Sequence, residues 1–113
     1  NLYKICHHKY RPVDFMPLCG RVISKPGYST FAESMRLDVP LVSITREGFA
    51  EAEILLQGLK NHSYHQIVSY EDFFNGDWSF LTEELNSPLS QDKIAKNGSE
   101  TIAQEIVSFF AKL

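Results

Sequence analysis

The sequence lacks several patterns that would assign a class of protein at once. Its 113 residues include two cysteines, too few for a disulfide framework. The longest apolar stretches, such as 106–111, are far shorter than a membrane span, and the first residues show no signal-peptide pattern. Basic residues number 11 against 14 acidic ones. The resulting net charge of −3 argues against nucleic acid or an anionic membrane as the main partner.

The motifs of common metal and nucleophile sites are also missing. No C-x-x-C or H-x-x-x-H pattern occurs, and the neighbouring residues His7 and His8 would point to opposite faces of a strand. No G-x-S-x-G elbow is present. We therefore expect no metal site. Cys6 and Cys19 could form one disulfide, but two thiols without a secretory signal favour reduced, half-buried cysteines in a cytoplasmic protein.

What is present is the composition of one small globular domain. Apolar residues make up 43% of the chain and charged residues 22%, so a core can form. The chain opens on Asn1 and passes directly into an apolar run. We expect residues 1–113 to be a single partial domain excised from a longer protein.

Short apolar runs alternate with segments of helical spacing. The strand-like runs lie at 3–6, 21–24, 41–44 and 66–69. Helical spacing covers 28–37, 49–60 and 97–113, with helical turns at 15–18 and 71–74 and a short helix at 78–85. This alternation predicts an α/β fold, a small Rossmann-like open parallel sheet with flanking helices. Ligands bind such sheets at the carboxyl ends of the strands.

The last helix has the clearest pattern. Asn97 followed by Glu100 is typical of a capping box. An apolar stripe then contains Ile102, Ile106, Phe109 or Phe110, and Leu113. We expect this stripe to dock on the rest of the domain. The aromatic residues between 70 and 80 are expected to pack as a satellite core.

The segment 23–33 carries the most chemical information. A strand ends, Pro26 and Gly27 form a turn, and a helix begins with hydroxyl residues. Gly27 permits a positive φ and a close approach of backbone to ligand. The free amides of a helix N-terminus form a site for phosphate. The alternative is an ordinary turn in which Ser29 or Thr30 caps the helix.

At this point the sequence resembles a known family. The run 24–34, followed by 39–42, resembles the KPGG-x-T-x-x-E-A … G-x-P-x-V signature of the nucleotide-sugar-binding half of GT-B glycosyltransferases. Within this family it is similar to peptidoglycan-type N-acetylglucosaminyltransferases and to the glycosyltransferase-like domain of plant L-arabinokinases. The runs 46–51 and 72–78 resemble the family's R-x-x-F-x-E and G-x-W stretches. The resemblance covers about 14–110.

The resemblance implies a donor site for a nucleotide sugar, of the UDP type. The diphosphate would be held by the turn amides, the ribose by a glutamate, and the sugar by the loop after the next strand. In this sequence these positions are Lys25, Gly27, Tyr28, Ser29, Thr30, Glu33, Arg46 and Glu47. The family's N-terminal half, with the acceptor site and catalytic base, has no counterpart here. The intact parent would transfer hexosyl groups, the catalytic residues are unknown, and the fragment alone should be inactive.

Three departures keep a second function open. Tyr28 replaces the second glycine of the signature, Asp38 stands where a glycine precedes the proline, and Ala50 takes the place of a frequent sugar-contacting amide. The alternative is a non-catalytic glycosyltransferase-like module that regulates or scaffolds a sugar kinase. An unrelated flavodoxin-like domain is a third possibility. Besides the donor, the expected partners are the missing N-terminal domain of the parent and a second copy associating through exposed edges.

Overall fold

The computed structural model describes residues 2–5 and 8–113. The strands are β1 (Val22–Ser24), β2 (Leu41–Ile44) and β3 (His65–Val68). The helices are α1 (Pro12–Phe15), α2 (Tyr28–Arg36), α3 (Ala52–His62), α4 (Tyr70–Asn75) and α5 (Gly98–Ala111), with 3₁₀ turns at Met16–Leu18 and Ser79–Thr82. Three of the four predicted strands and all three long helices are therefore present, within a few residues of their predicted bounds.

The strands form one parallel sheet in the order β1-β2-β3. Val22 lies opposite Leu41, which lies opposite His65. Beyond β3, His65 also makes an antiparallel bridge to Asn86. The predicted fold class, a small open parallel sheet flanked by helices, is confirmed.

Each face of the sheet carries its own apolar cluster, because side chains alternate along a strand. Leu41 points to one face and packs with Phe31, Leu55 and Leu59, which come from α2 and α3. Val42 points to the other face. There it packs with Val68 and Phe80.

Two side-chain hydrogen bonds also cross the second face of the sheet. The guanidinium of Arg21 donates to the side-chain oxygen of Gln66 at 2.8 Å, and the Gln66 amide donates to the Phe80 carbonyl at 3.0 Å. Gln66 is buried, so both bonds compensate for its removal from water. They connect the N-terminal side of β1 to β3 and to the second 3₁₀ turn.

The predicted strand at 3–6 is wrong for the residues described. Residues 2–5 are irregular and exposed, and Cys6 lies outside the described residues. An apolar run forms a strand only where a neighbour accepts its backbone hydrogen bonds. Among the described residues no strand pairs with this run.

The segment after β3 is less helical than its sequence suggests. The predicted helix at 78–85 is reduced to the 3₁₀ turn Ser79–Thr82, because Trp78 has a left-handed backbone (φ 61°) and Glu83 is extended. In the predicted aromatic packing, Phe73 and Phe80 contact the second cluster. Tyr70, Phe74 and Trp78 are exposed on their outer sides, but they take part in the predicted packing. The Trp78 ring centre lies 5.0 Å from that of Phe73, the Phe74 ring 4.9 Å from Phe73, and the Tyr70 ring 4.3 Å from Phe74.

The prediction that the last helix docks on the domain is wrong. Every residue of α5 is exposed, including Ile102, Ile106 and Phe109. The radius of gyration is 16.7 Å, against about 13 Å for a compact chain of this size. The predicted capping box is also absent, since Asn97 makes no side-chain cap bond. An apolar stripe predicts burial, but it does not identify the surface that buries it.

Two further findings concern the environment of the chain. In the described part, no helix has the length and hydropathy needed to cross a membrane.

Cys19 carries a free thiol that is exposed rather than half-buried, and its Sγ donates to the Phe15 carbonyl at 3.4 Å. Its position after the 3₁₀ turn Met16–Leu18, outside either core cluster, accounts for the exposure.

Candidate functional site

The candidate site lies at the carboxyl edge of the sheet. β1 and β2 are parallel neighbours, so the turn after β1 and the loop after β2 leave the sheet at the same edge. The first connection, 25–27, leads into α2, and the second, 45–51, leads into α3. All eight sequence-predicted site residues lie in these two connections or in α2, where they extend from Tyr28 to Glu33.

The N-terminus of α2 has no side-chain cap. Gly27 is the N-cap residue, and the Phe31 amide makes the first helical bond to its carbonyl at 3.1 Å. Among the described residues, no side chain accepts from the amides that precede Phe31. The interpretation that Ser29 or Thr30 caps this helix is therefore wrong. An uncapped helix start leaves N–H groups available to an outside acceptor.

The backbone conformation at position 27 does not require glycine. Its φ of −160° and ψ of 136° are extended, a conformation open to any residue. A Cβ built at this position would approach only the Lys25 carbonyl oxygen, at 4.0 Å. The glycine thus satisfies no local steric demand.

Tyr28 projects away from this turn. Its side chain is exposed and lines the groove between α2 and α3 together with Phe31 and Met35. This spacing of three and seven residues follows one face of α2. The bulky residue that departs from the family signature therefore lies along the side of the helix.

Lys25 and Glu33 flank the α2 N-terminus. Lys25 is exposed in the turn, and Glu33 is half-buried one turn inside the helix. Within the described residues neither side chain makes an ion pair. Neither charge is therefore neutralised by an ion pair within the described residues.

Arg46 and Glu47 lie in the second connection and line a cavity of about 370 Å³ against α3. The Arg46 guanidinium carbon stands 4.3 Å from the centre of the Phe49 ring, a cation–π arrangement that holds the side chain in place. Gly48, with a φ of 71°, makes the tight turn between Arg46 and Phe49. None of the residues 25–33 lines this cavity. The structure therefore places the predicted site residues in two groups.

Sequence reasoning missed part of this second group. Glu53, Gln57 and Lys60 line the same cavity from α3. Their spacing of four and three residues follows one helical face, and this periodicity is the signal that could have identified them.

The histidines and acids form no metal site in the described part of the chain, where no group of three potential ligands occurs. The ring nitrogen Nδ1 of His65 lies 2.9 Å from the Ser63 carbonyl, and this ring is buried. His62 is exposed at the end of α3, just before β3 begins, and so lies away from the carboxyl ends of the strands. His7 lies outside the described residues.

Comparison with models of known protein families, with curated proteins and with solved structures finds no match to this chain.

Proposed function

We propose that the chain binds the diphosphate of a nucleotide sugar at the N-terminus of α2. The observation that carries the proposal is the uncapped helix start at the carboxyl edge of a parallel sheet. Backbone amides and the helix dipole together favour an anion at such a position. Gly27 supports this assignment, because a glycine beside the amides of Tyr28, Ser29 and Thr30 permits a close approach of ligand to backbone.

The surrounding side chains suit the rest of such a ligand. Lys25 supplies a positive charge beside the phosphates, and the Glu33 carboxylate is an acceptor for ribose hydroxyl groups. Arg46 and Glu47, in the neighbouring connection, would contact the sugar. The choice of a UDP-type donor rests on the family resemblance of the run 24–34.

Catalysis would need groups that these residues do not supply. We infer that the parent protein is a hexosyltransferase whose other domain provides the acceptor site and the catalytic base. The alternative, a non-catalytic module attached to a sugar kinase, is favoured by Ala50, which is exposed in the second connection and offers no side-chain hydrogen bond to a sugar.

A titration with UDP, followed by amide chemical shifts, tests the proposal. We expect shifts concentrated at 27–30 and 33, smaller shifts with pyrophosphate alone, and none with uridine. Gly27→Ala should fold, because its Cβ has room, and should weaken UDP binding by about tenfold, since the methyl group occupies the approach to the amides.

Gly58→Ala is the matched control. A Cβ there meets nothing within 4 Å, and the residue lies on α3, which contains none of the sequence-predicted site residues. UDP affinity should be unchanged. Amide shifts confined to other parts of the chain, or equal UDP affinities of the Gly27→Ala and Gly58→Ala variants, would refute a diphosphate site at α2.

A further inference from the structure

The helix α5 has an apolar face that is exposed to solvent. Its exposed apolar residues include Ile102, Ile106, Val107, Phe109 and Phe110. At 100° per residue these side chains occupy less than half of the helix circumference. Glu100 and Glu105 border this face on its two sides, and the one basic residue of the segment, Lys112, follows the end of the helix.

An apolar groove lies between α2 and α3. It has a volume of about 630 Å³, and its walls include Phe31 and Met35 from α2 and Ile54 and Leu55 from α3. Ile54 is 69% exposed there, although it is a large apolar residue. The groove runs along α2 and α3, and Tyr28, the residue after Gly27, is the part of its lining that is nearest in sequence to the turn.

The charges of the groove complement those of α5. The ionisable groups that line it, among the described residues, are Tyr28, Arg36, His62 and Lys96, and no carboxylate is present. Arg36 makes no ion pair within the described residues, and Lys96 contacts Asp38. A helix bordered by Glu100 and Glu105 therefore finds basic partners at the rim of this groove.

The start of α5 is fixed at the edge of the same groove. Gly98 and Ser99 belong to its lining. The preceding segment is tied to the domain by the Lys96–Asp38 ion pair and by bonds from the Leu89 and Ser90 amides to the carbonyls of Lys60 and Asn61, at 3.0 Å each. The helix then extends about 21 Å into solvent and does not fold back over its own groove.

From these observations we propose that α5 of one copy docks into the α2–α3 groove of a second copy, and that the exchange is reciprocal. Each chain carries one exposed helix and one groove next to each other. In a pair of chains, each helix can therefore occupy the groove of the other chain, which gives a symmetric dimer with no helix left exposed. At their observed exposures, the large apolar side chains of α5 present on the order of 600 Å². Two helices seated in two grooves bury well over about 1,200 Å², the range of stable interfaces. This inference is independent of the proposed function.

The oligomeric state of the full chain in solution tests the exchange. Sedimentation across a range of concentrations should give about 26 kDa, twice the chain mass of 12.9 kDa, with dissociation on dilution. Ile106→Glu on the helix and Ile54→Glu in the groove should each weaken the pair by about 30-fold or more, because each places an unpaired charge in an apolar contact. Both residues are exposed in the single chain, so the fold should survive, which circular dichroism checks.

Two controls and one mixture complete the test. Ser108→Glu, on the polar side of α5, and Gln57→Glu, on α3 outside the groove, should leave association unchanged. A mixture of the Ile106→Glu and Ile54→Glu variants should form a mixed pair, because one intact helix still meets one intact groove.

Three outcomes would overturn the proposal. A chain that stays monomeric at all concentrations shows that a different partner, or the chain's own groove, covers α5. A pair that is sensitive to Ile106→Glu but not to Ile54→Glu shows that the helices pack on each other. Failure of the two variants to form a mixed pair excludes the reciprocal exchange.

Discussion

At the scale of single residues, Asp38 holds the backbone turn that ends α2. Its φ is 55°, in the left-handed region. The Val39 amide bonds to the Ser34 carbonyl at 2.9 Å and the Asp38 amide to the Met35 carbonyl at 3.3 Å, the pattern of a Schellman motif. Glycine adopts this left-handed conformation without strain. Aspartate is tolerated in this region better than most residues, and its carboxylate also contacts Lys96.

Substitutions at Asp38 should therefore separate backbone strain from the ion pair. Asp38→Gly and Asp38→Ala both lose the contact with Lys96, but only glycine relieves the left-handed strain. We expect Asp38→Gly to exceed Asp38→Ala in free energy of unfolding by about 1 kcal/mol. Urea denaturation of the two variants measures the difference, and equal midpoints would contradict it.

Asp77 is a second residue whose role can be isolated. Its pKa is lowered from the ordinary 3.8, chiefly because its carboxylate accepts a hydrogen bond from the Ser79 amide, with a further contribution from the Ser79 side chain. A lowered pKa in the folded state stabilises the fold above the unfolded value, and this contribution disappears as the pH falls through the folded pKa. The Asp77→Asn variant should therefore have a lower free energy of unfolding at pH 7 than the unsubstituted chain.

The sign of this effect is checked by repeating the comparison in acid. Thermal unfolding of both proteins between pH 7 and pH 2 should show a Tm difference that is largest above the ordinary carboxyl pKa and decreases as the pH falls through the lowered pKa of Asp77. A difference that persists unchanged at pH 2 would mean that the carboxylate charge plays no part.

At the scale of elements, the sequence pattern predicts structure where local preference and neighbours agree. The run at 41–44 is apolar, lies between two strands, and is the strand β2 with the predicted bounds. The run at 3–5 has similar apolar character but no pairing partner among the described residues, so the same pattern fails there. At 78–85 the left-handed backbone of Trp78 limits the helix to one turn, and no periodicity reports such a conformation.

In the candidate site, too, some features follow from local sequence and others depend on the tertiary structure. The turn at 25–27 and the helix after it are predictable because Pro26, Gly27 and the strand before them are strong local signals. The extended conformation of Gly27 and the absence of a side-chain cap are not predictable, since Ser29 and Thr30 are good capping residues in other settings. The separation of Arg46 from the turn depends on how α3 packs, which is a property of the tertiary structure.

At the scale of the whole molecule, the chain consists of a packed α/β unit and one projecting helix. Both core clusters lie between Ile23 and Phe80, and α5 contributes to neither. The longest dimension of the molecule is 59 Å against 34 and 29 Å for the others, as expected for a helix that extends from the domain. The stability of the core should therefore not depend on α5 in the isolated chain.

This arrangement, combined with the exchange of α5, makes a prediction about concentration. Removal of residues 98–113 should leave the melting temperature of a dilute sample unchanged within about 1 °C, because no buried contact is lost. In concentrated samples the full chain should melt at a higher temperature than the truncated one, since association stabilises only the folded state and grows with concentration. Calorimetry of both proteins over a hundredfold range of concentration measures this dependence. A constant deficit of the truncated chain at every concentration would instead mean that α5 stabilises its own domain.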